Sequence, residues 1–454
     1  MEERTFAVMF SKYTSQFGTN MKLAYPIMLG QLGHMLVALV DNVMVGELGA
    51  VPLAAVSLGN SLIYIALSIG IGFSFALTPL VAEAQAASKP GRLRSLLQNG
   101  LVLNVLNALL LMLVLFCSTP LLGMMSQPDD VVVAATPYMQ IVTLSMFPLL
   151  LFQVLKQFSD GMSITKHAMN AVLISNVVNI GLNYVLIYGW GSIPAMGIEG
   201  AAWGTCLSRV FMLVLLYIIV RRDPKLNQYF QWRQMRLSAT TMLRILNQGL
   251  PTALQMLFEV GLFTSAILLA GRLGVVDQAA NQIALNLASI TFMIAVGLSV
   301  ASMIRVGNQY GERNLEMLKT VAISNVLLVF LIEAVFAIGF MLFKEQLPLI
   351  YIDNPAVINS AASLIVIAGL FQLSDGVQVV VLGSLRGLQD VWVPSAICFV
   401  AYWLVGFPIS WTLHNTKDWG VAGIWWGLLV ALSVSAVLLS LRFHYKTKKL
   451  SWHA

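Results

Sequence analysis

The sequence predicts an all-α polytopic membrane protein: twelve transmembrane helices in two pseudo-symmetric six-helix bundles. Three observations carry this. Hydrophobic residues fill 58% of the 454 positions and charged residues only 10%, against the ~25% that a water-facing surface usually carries. Apolar runs such as AVLISNVVNIGLNYVLIYGW and GLLVALSVSAVLLSLRF recur, matching the roughly 20 helical residues that cross a hydrocarbon core. Segments far apart in the chain also repeat one another. A bilayer admits only helices or closed barrels. Barrel strands alternate apolar and polar residues, whereas these runs are apolar all round.

The spans are bounded by charged or Gly- and Pro-containing turns. Span one covers 23–45 and holds Pro26, His34 and Asp41. Spans two and three, 55–82 and 96–118, are parted by Lys89, Arg92 and Arg94. Span four runs 134–157, and span five, 168–189, carries Asn179 and Asn183. Span six, 198–220, contains Thr205 and Arg209 and ends on Arg221 and Arg222. The longest polar connection follows, up to Arg244. Spans seven to twelve are read at 244–270, 280–304, 320–343, 356–384, 393–413 and 421–442. The domain division is therefore an N-terminal lobe at 1–221, a cytoplasmic linker at 222–243 and a C-terminal lobe at 244–454.

Orientation follows the excess of Lys and Arg on the cytoplasmic side. With both termini inside, 22 of the 26 basic residues are cytoplasmic, the exceptions being Arg272, Lys344, Lys417 and Arg209. This rule accounts for the net charge of +6 without a nucleic acid partner. The first apolar run is too long for a cleavable signal peptide. Cys117, Cys206 and Cys398 fall inside spans, so neither a disulfide nor a metal site is expected from them.

Pro26 and Pro251 are 225 residues apart. At that offset GELGAVPLAA aligns with GRLGVVDQAA, pairing Gly46 with Gly271 and Gly49 with Gly274. Later, GIEGAAWG aligns with GVAGIWWG at an offset of 223. Parallel repeats of this kind are related by an axis along the membrane normal.

Four carboxylates lie well inside spans: Asp41, Glu259, Glu333 and Asp375. Each costs about 2.5–3.5 kcal/mol at the centre of an isolated helix, so such groups face a cavity or a partner. Burial without a cationic partner penalises the ionised form of a carboxylate, which makes it a binder of a proton or a metal cation. Spacing supports three of them. Gln255 and Glu259 are i, i+4; Asp375 and Gln378 are i, i+3, with Gln372 at the preceding turn; Asn179 and Asn183 are i, i+4. Asp41, Asn183 and Thr205 all fall toward the outer ends of their spans and are expected to meet. Glu333 has no polar companion on its own face and reads as a packing residue, with Arg209 as its partner. The Asn pair also reads as interhelical glue. His34 aligns with Glu259 at the repeat offset.

The stretches YPIMLGQLGHMLVALVDNVMVGELGAVPLAAVSLGNSL, VVNIGLNYVLIYG, GIEGAAWGT, QGLPTALQMLFEVGLFTSAILLAGRLG and SLRGLQD together resemble the multidrug and toxic compound extrusion (MATE) family, with Glu259 pointing to its NorM-type branch. The resemblance covers residues 20–445. It implies two bundles around a central cleft, alternating access, and export of small organic, typically cationic or amphipathic, substrates against inward Na⁺ or H⁺. It places coupling on Asp41, Asn179, Asn183 and Thr205 in the N-terminal lobe and on Glu259 and Asp375 in the C-terminal lobe. Na⁺ would bind at Glu259 and Asp375 or at Asp41. Candidate substrate-cavity residues are His34, Gln255, Gln282, Asn286, Phe371 and Gln378. Two departures stand out: Phe371 where some members have tyrosine, and Asn183 where some have aspartate. The implied setting is a monomer in a bacterial inner membrane, with no cofactor beyond the coupling ion and no enzymatic activity.

Two other functions are weaker. A flippase of lipid-linked saccharides, from the same broad superfamily, needs several cations for a pyrophosphate, and only Arg209 lies well inside a span. An integral membrane transferase needs a catalytic constellation. The five histidines are scattered, and neither G-x-S-x-G nor H-E-x-x-H occurs.

Overall fold

A computed structural model describes residues 11–125, 127–230, 237–415 and 419–450. Arg233 and Arg236 of the expected linker, and Lys417 of the expected outer side, lie outside the described residues. Twelve helices among the described residues are long and apolar enough to cross a membrane. They are α1 (Ser11–Gly46), α2 (Ala50–Ala86), α3 (Pro90–Ser118), α4 (Asp129–Gly161), α5 (Lys166–Tyr188), α6 (Gly197–Arg222), α7 (Ala239–Leu273), α8 (Val275–Glu312), α9 (Leu315–Leu342), α10 (Pro355–Gly387), α11 (Trp392–His414) and α12 (Gly420–Lys449). The all-α expectation and the twelve spans hold. The helices overrun the apolar windows, and α8 continues to Glu312 where 304 was expected. A helix persists while its backbone bonds are made, whereas hydropathy registers only the part suited to lipid.

Local chemistry sets the ends. Asn314 caps α9 by accepting from the Met317 amide at 3.0 Å, and Asn354 caps α10 from Ala356 at 3.0 Å with Pro355 in the first turn. The turns into α2 and α8 use Gly49 at φ +121° and Gly274 at φ +129°. These are partners in the internal repeat, and a side chain at either would strain the backbone. Within α11, residues Val400–Gly406 form a π-helical stretch. Pro408 just beyond cannot donate to the preceding turn, so the ladder shifts there.

The chain forms two compact units, the described part of Met1–Met28 with Leu254–Ala454, and Leu29–Ala253. They are called here the C-terminal and N-terminal units. Their boundaries lie inside α1 and α7, just after Pro26 and Pro251, each of which removes one backbone donor within its helix. In the C-terminal unit, Arg305 donates to Gln16 Oε1 at 2.7 Å and to Asn20 Oδ1. Asn20 in turn donates to Ser324 Oγ at 3.0 Å. These bonds fasten the start of α1 to α8 and α9. The unit's core centres on Trp425, Tyr402 and Ile424. That of the N-terminal unit centres on Leu77, Leu80, Phe152 and Phe158. Leu106, Leu109, Leu110 and Leu113 stand exposed on α3, as a lipid-facing surface requires.

Candidate functional site

Each unit holds a carboxylate site. In the N-terminal unit, Asn183 Nδ2 donates to Asp41 Oδ1 at 2.6 Å. A hydrogen bond to a charged acceptor contributes about 1.5–3 kcal/mol. Asn179 Oδ1 lies 3.4 Å from the same nitrogen, and Asn179 Nδ2 donates to Ser208 Oγ on α6 at 3.1 Å. Asn183 is fully buried and Asp41 half-buried. The approach of α5 to α6 depends on Gly204, because a Cβ there would collide with the Asn183 amide. Its repeat partner Gly427 meets Ser410 of α11 in the same way.

The structure thus joins Asp41, Asn183 and Asn179 as the spacing suggested. Thr205 supplies only its backbone oxygen, to Ser208 Oγ at 2.9 Å. On a helix Ser208 shares the Gly204 face, four residues on, and Thr205 is turned away by one position. Arg209 donates to Ser145 Oγ at 2.7 Å. The carboxylate Asp160, absent from the sequence reading because it sits past the apolar window, is fully buried and paired with Lys156 at 2.7 Å.

Sequence reasoning also missed a groove between α1 and α5, lined by Val40, Met44, Glu47, Tyr184, Tyr188 and Trp190. The Tyr188 hydroxyl donates to Glu47 Oε2 at 2.6 Å, and Tyr184 meets Tyr188 and Trp190 edge-on. A carboxylate beside aromatic faces attracts cations.

In the C-terminal unit, Gln255 Nε2 donates to Glu259 Oε2 at 3.2 Å. The same side chain accepts from the Arg386 guanidinium through Oε1. Arg386, in the last turn of α10, is 9% exposed. The residue was visible in SLRGLQD. α10 runs to Gly387, past the predicted end at 384, and so includes it. Asp375 is 5% exposed and lies within electrostatic range of Glu259 and Glu333. Gln378 donates not to Asp375 but to the Tyr402 hydroxyl at 2.7 Å, on the π-helical stretch of α11. Tyr402 is a second residue the sequence did not mark, since a helix shift of this kind leaves no hydropathy signature.

The remaining cavity candidates separate. Phe371 is 2% exposed and packs edge-on against Trp425 and Phe263. Gln282 donates to Asn286 Oδ1 at 3.1 Å on an exposed part of α8. His34 is half-buried in the N-terminal unit. Chemically, each unit presents an acid beside neutral amides, joined in the C-terminal unit by Arg386 and Asp375, an arrangement that can bind and release a small cation.

A family model described as MatE matches the chain twice, over residues 26–185 and 251–412. The two matches begin at Pro26 and Pro251, which is the offset of the internal repeat. The chain is 33% identical over 447 residues to "Probable multidrug resistance protein NorM" of Rhizobium meliloti (strain 1021), covering 97% of this chain and 96% of that one. It is 34% identical over 451 residues to "Multidrug resistance protein MdtK" of Yersinia pseudotuberculosis serotype O:1b (strain IP 31758), covering 96% and 97%. Among solved structures it superposes on the eukaryotic MATE transporter AtDTX14 with TM-score 0.86 at 19% identity, over 97% of this chain and 99% of that one. On a MATE structure in the bent conformation the TM-score is 0.88 at 20% identity, over 97% and 98%. At these identities the structures establish the fold.

Proposed function

The chain belongs to the MatE family, and from that premise we propose that it is a multidrug efflux transporter, an antiporter of a bacterial cytoplasmic membrane. It exports small organic compounds, cationic or amphipathic, in exchange for inward H⁺ or Na⁺ by alternating access. The observation that carries this reading is near-full-length identity of 33–34% to proteins named for multidrug resistance. The buried carboxylates supply the physics. An organic cation and the coupling ion neutralise the same charge, so they compete for it. A ligand biases two conformations only through its differential affinity for them. Asp41, Asn179, Asn183 and Thr205 in one unit, and Glu259 and Asp375 in the other, are the groups assigned to coupling. One chain supplies both halves of the repeat, so the monomer is the working form.

Ethidium efflux from membrane vesicles tests this. Either a pH gradient or a Na⁺ gradient, imposed alone, is expected to drive efflux. Vesicles that respond to neither would refute antiport.

The same reading places both termini in the cytoplasm, supported by the distribution of Lys and Arg. Reporters fused after Trp232 and after Ala454 are both expected to score cytoplasmic. A periplasmic score for either reverses the orientation.

A further inference from the structure

We propose that Glu333 is a third coupling carboxylate of the C-terminal unit, holding an exchangeable proton alongside Asp375; this rests on the antiport reading above. Glu333 lies on α9 and is 1% exposed. Among the described residues neither of its carboxylate oxygens has a hydrogen-bond partner, and none of their ion pairs includes it. An acid retained for packing alone would do worse than an apolar side chain of similar volume.

The surroundings are shaped to admit it. Gly376 on α10 follows Asp375 directly, and a Cβ there would come 2.9 Å from Glu333 Cγ. Gln372, one turn earlier, donates to the backbone oxygen of Glu333 at 3.2 Å. Its own Oε1 accepts from Thr291 Oγ1 of α8 at 3.0 Å. α8, α9 and α10 are thus tied together at Glu333, yet among the described residues its carboxyl group has no hydrogen-bond partner.

The charged and titratable groups on the neighbouring helices are few. Asp375 comes from α10, and Glu259 on α7 lies within range of Asp375. Arg386, also on α10, is engaged by Gln255. On α8, Asp277 is in the first turn, Arg305 is bound to Gln16 and Asn20, and Tyr310 and Glu312 are in the last turns. On α1, Lys12 pairs with Glu316 of α9 at 2.7 Å, and Lys22 is exposed. Tyr13 and Tyr25 also lie on the part of α1 in this unit, and Lys319 lies in the first turns of α9 itself.

Two neighbouring carboxyl groups, with no ion pair at Glu333 among the described residues, share a proton more readily than they carry two charges. A metal ion would need several converging ligands. Among the described residues no three His, Cys, Asp or Glu side chains converge in that way. When Glu259 or Asp375 gains or loses its cation, the field at Glu333 changes and the proton leaves for, or returns from, the side open to solvent.

Infrared difference spectroscopy across pH steps, in H₂O and D₂O, tests the assignment on the purified protein. Wild type is expected to show a titrating carboxylic C=O band that Glu333→Gln removes. In weakly buffered solution the protons exchanged over the same pH step are expected to fall by about one per chain. Glu333→Met is expected to fold and to melt at or above the wild-type temperature, because no hydrogen bond is lost. An unchanged band and proton count in Glu333→Gln overturns the proposal. So does Glu333→Met melting well below wild type, which would mark a packing role. Ethidium efflux is measured in parallel: the antiport reading fails if wild-type vesicles do not transport, whereas this proposal fails on the Glu333→Gln spectrum.

Discussion

Glu259→Gln is expected to lower gradient-driven ethidium efflux about tenfold or more, the loss that follows when ~1.4 kcal/mol of ion binding no longer biases the two conformations. The substitution keeps the shape of the side chain and removes its charge. Gln255 can still reach a neutral amide at position 259, so the i, i+4 contact on α7 survives. Arg386 keeps its hydrogen bond to Gln255. Membrane insertion should therefore be normal and the melting temperature close to wild type. Asp375→Asn is the companion. An amide keeps the shape of its side chain but cannot take up a proton or a cation. Wild-type efflux in both variants would remove coupling from this pair.

Hydropathy and charge read the fold well and the site in part. Twelve spans were legible because each must bury its backbone bonds within itself and present an apolar face to lipid. The repeat was legible at Gly49 and Gly274, since a positive φ restricts which residue can stand there. Helix ends were less visible. Arg386 and Asp160 lie beyond apolar windows but inside helices, and both are buried. Within one helix, i, i+4 spacing reported contacts correctly, as for Gln255 with Glu259 and Asn179 with Asn183. Between helices it did not. On α6 it is Ser208 that meets Asn179, near the close approach at Gly204, whereas the residue expected beside Asp41 and Asn183 is Thr205. Gln378 likewise bonds to Tyr402, a partner supplied by a local change in the pitch of α11.

Asp41→Asn separates a charge-exchanging role from a structural one. In the structure Asp41 accepts a 2.6 Å bond from Asn183 Nδ2, and Asn183 is placed by Asn179 and by the Gly204 notch. An asparagine at 41 presents a carbonyl oxygen to the same donor, so the geometry of the cluster should persist. What is lost is the charge-assisted part of the bond, about 1 kcal/mol in stability, and all capacity to bind a proton or Na⁺. If Asp41 couples, the purified variant still binds ethidium, because aromatic and apolar contacts remain, but an imposed gradient drives about tenfold less efflux or worse. If Asp41 merely packs, efflux falls only in proportion to the loss of folded protein. The pH profile adds an independent readout. A carboxylate that exchanges a proton during the cycle makes ethidium affinity vary with pH through competition, and that variation should flatten in Asp41→Asn. Gradient-driven efflux and a pH profile both equal to wild type would reduce Asp41 to a hydrogen-bonding anchor between α1 and α5.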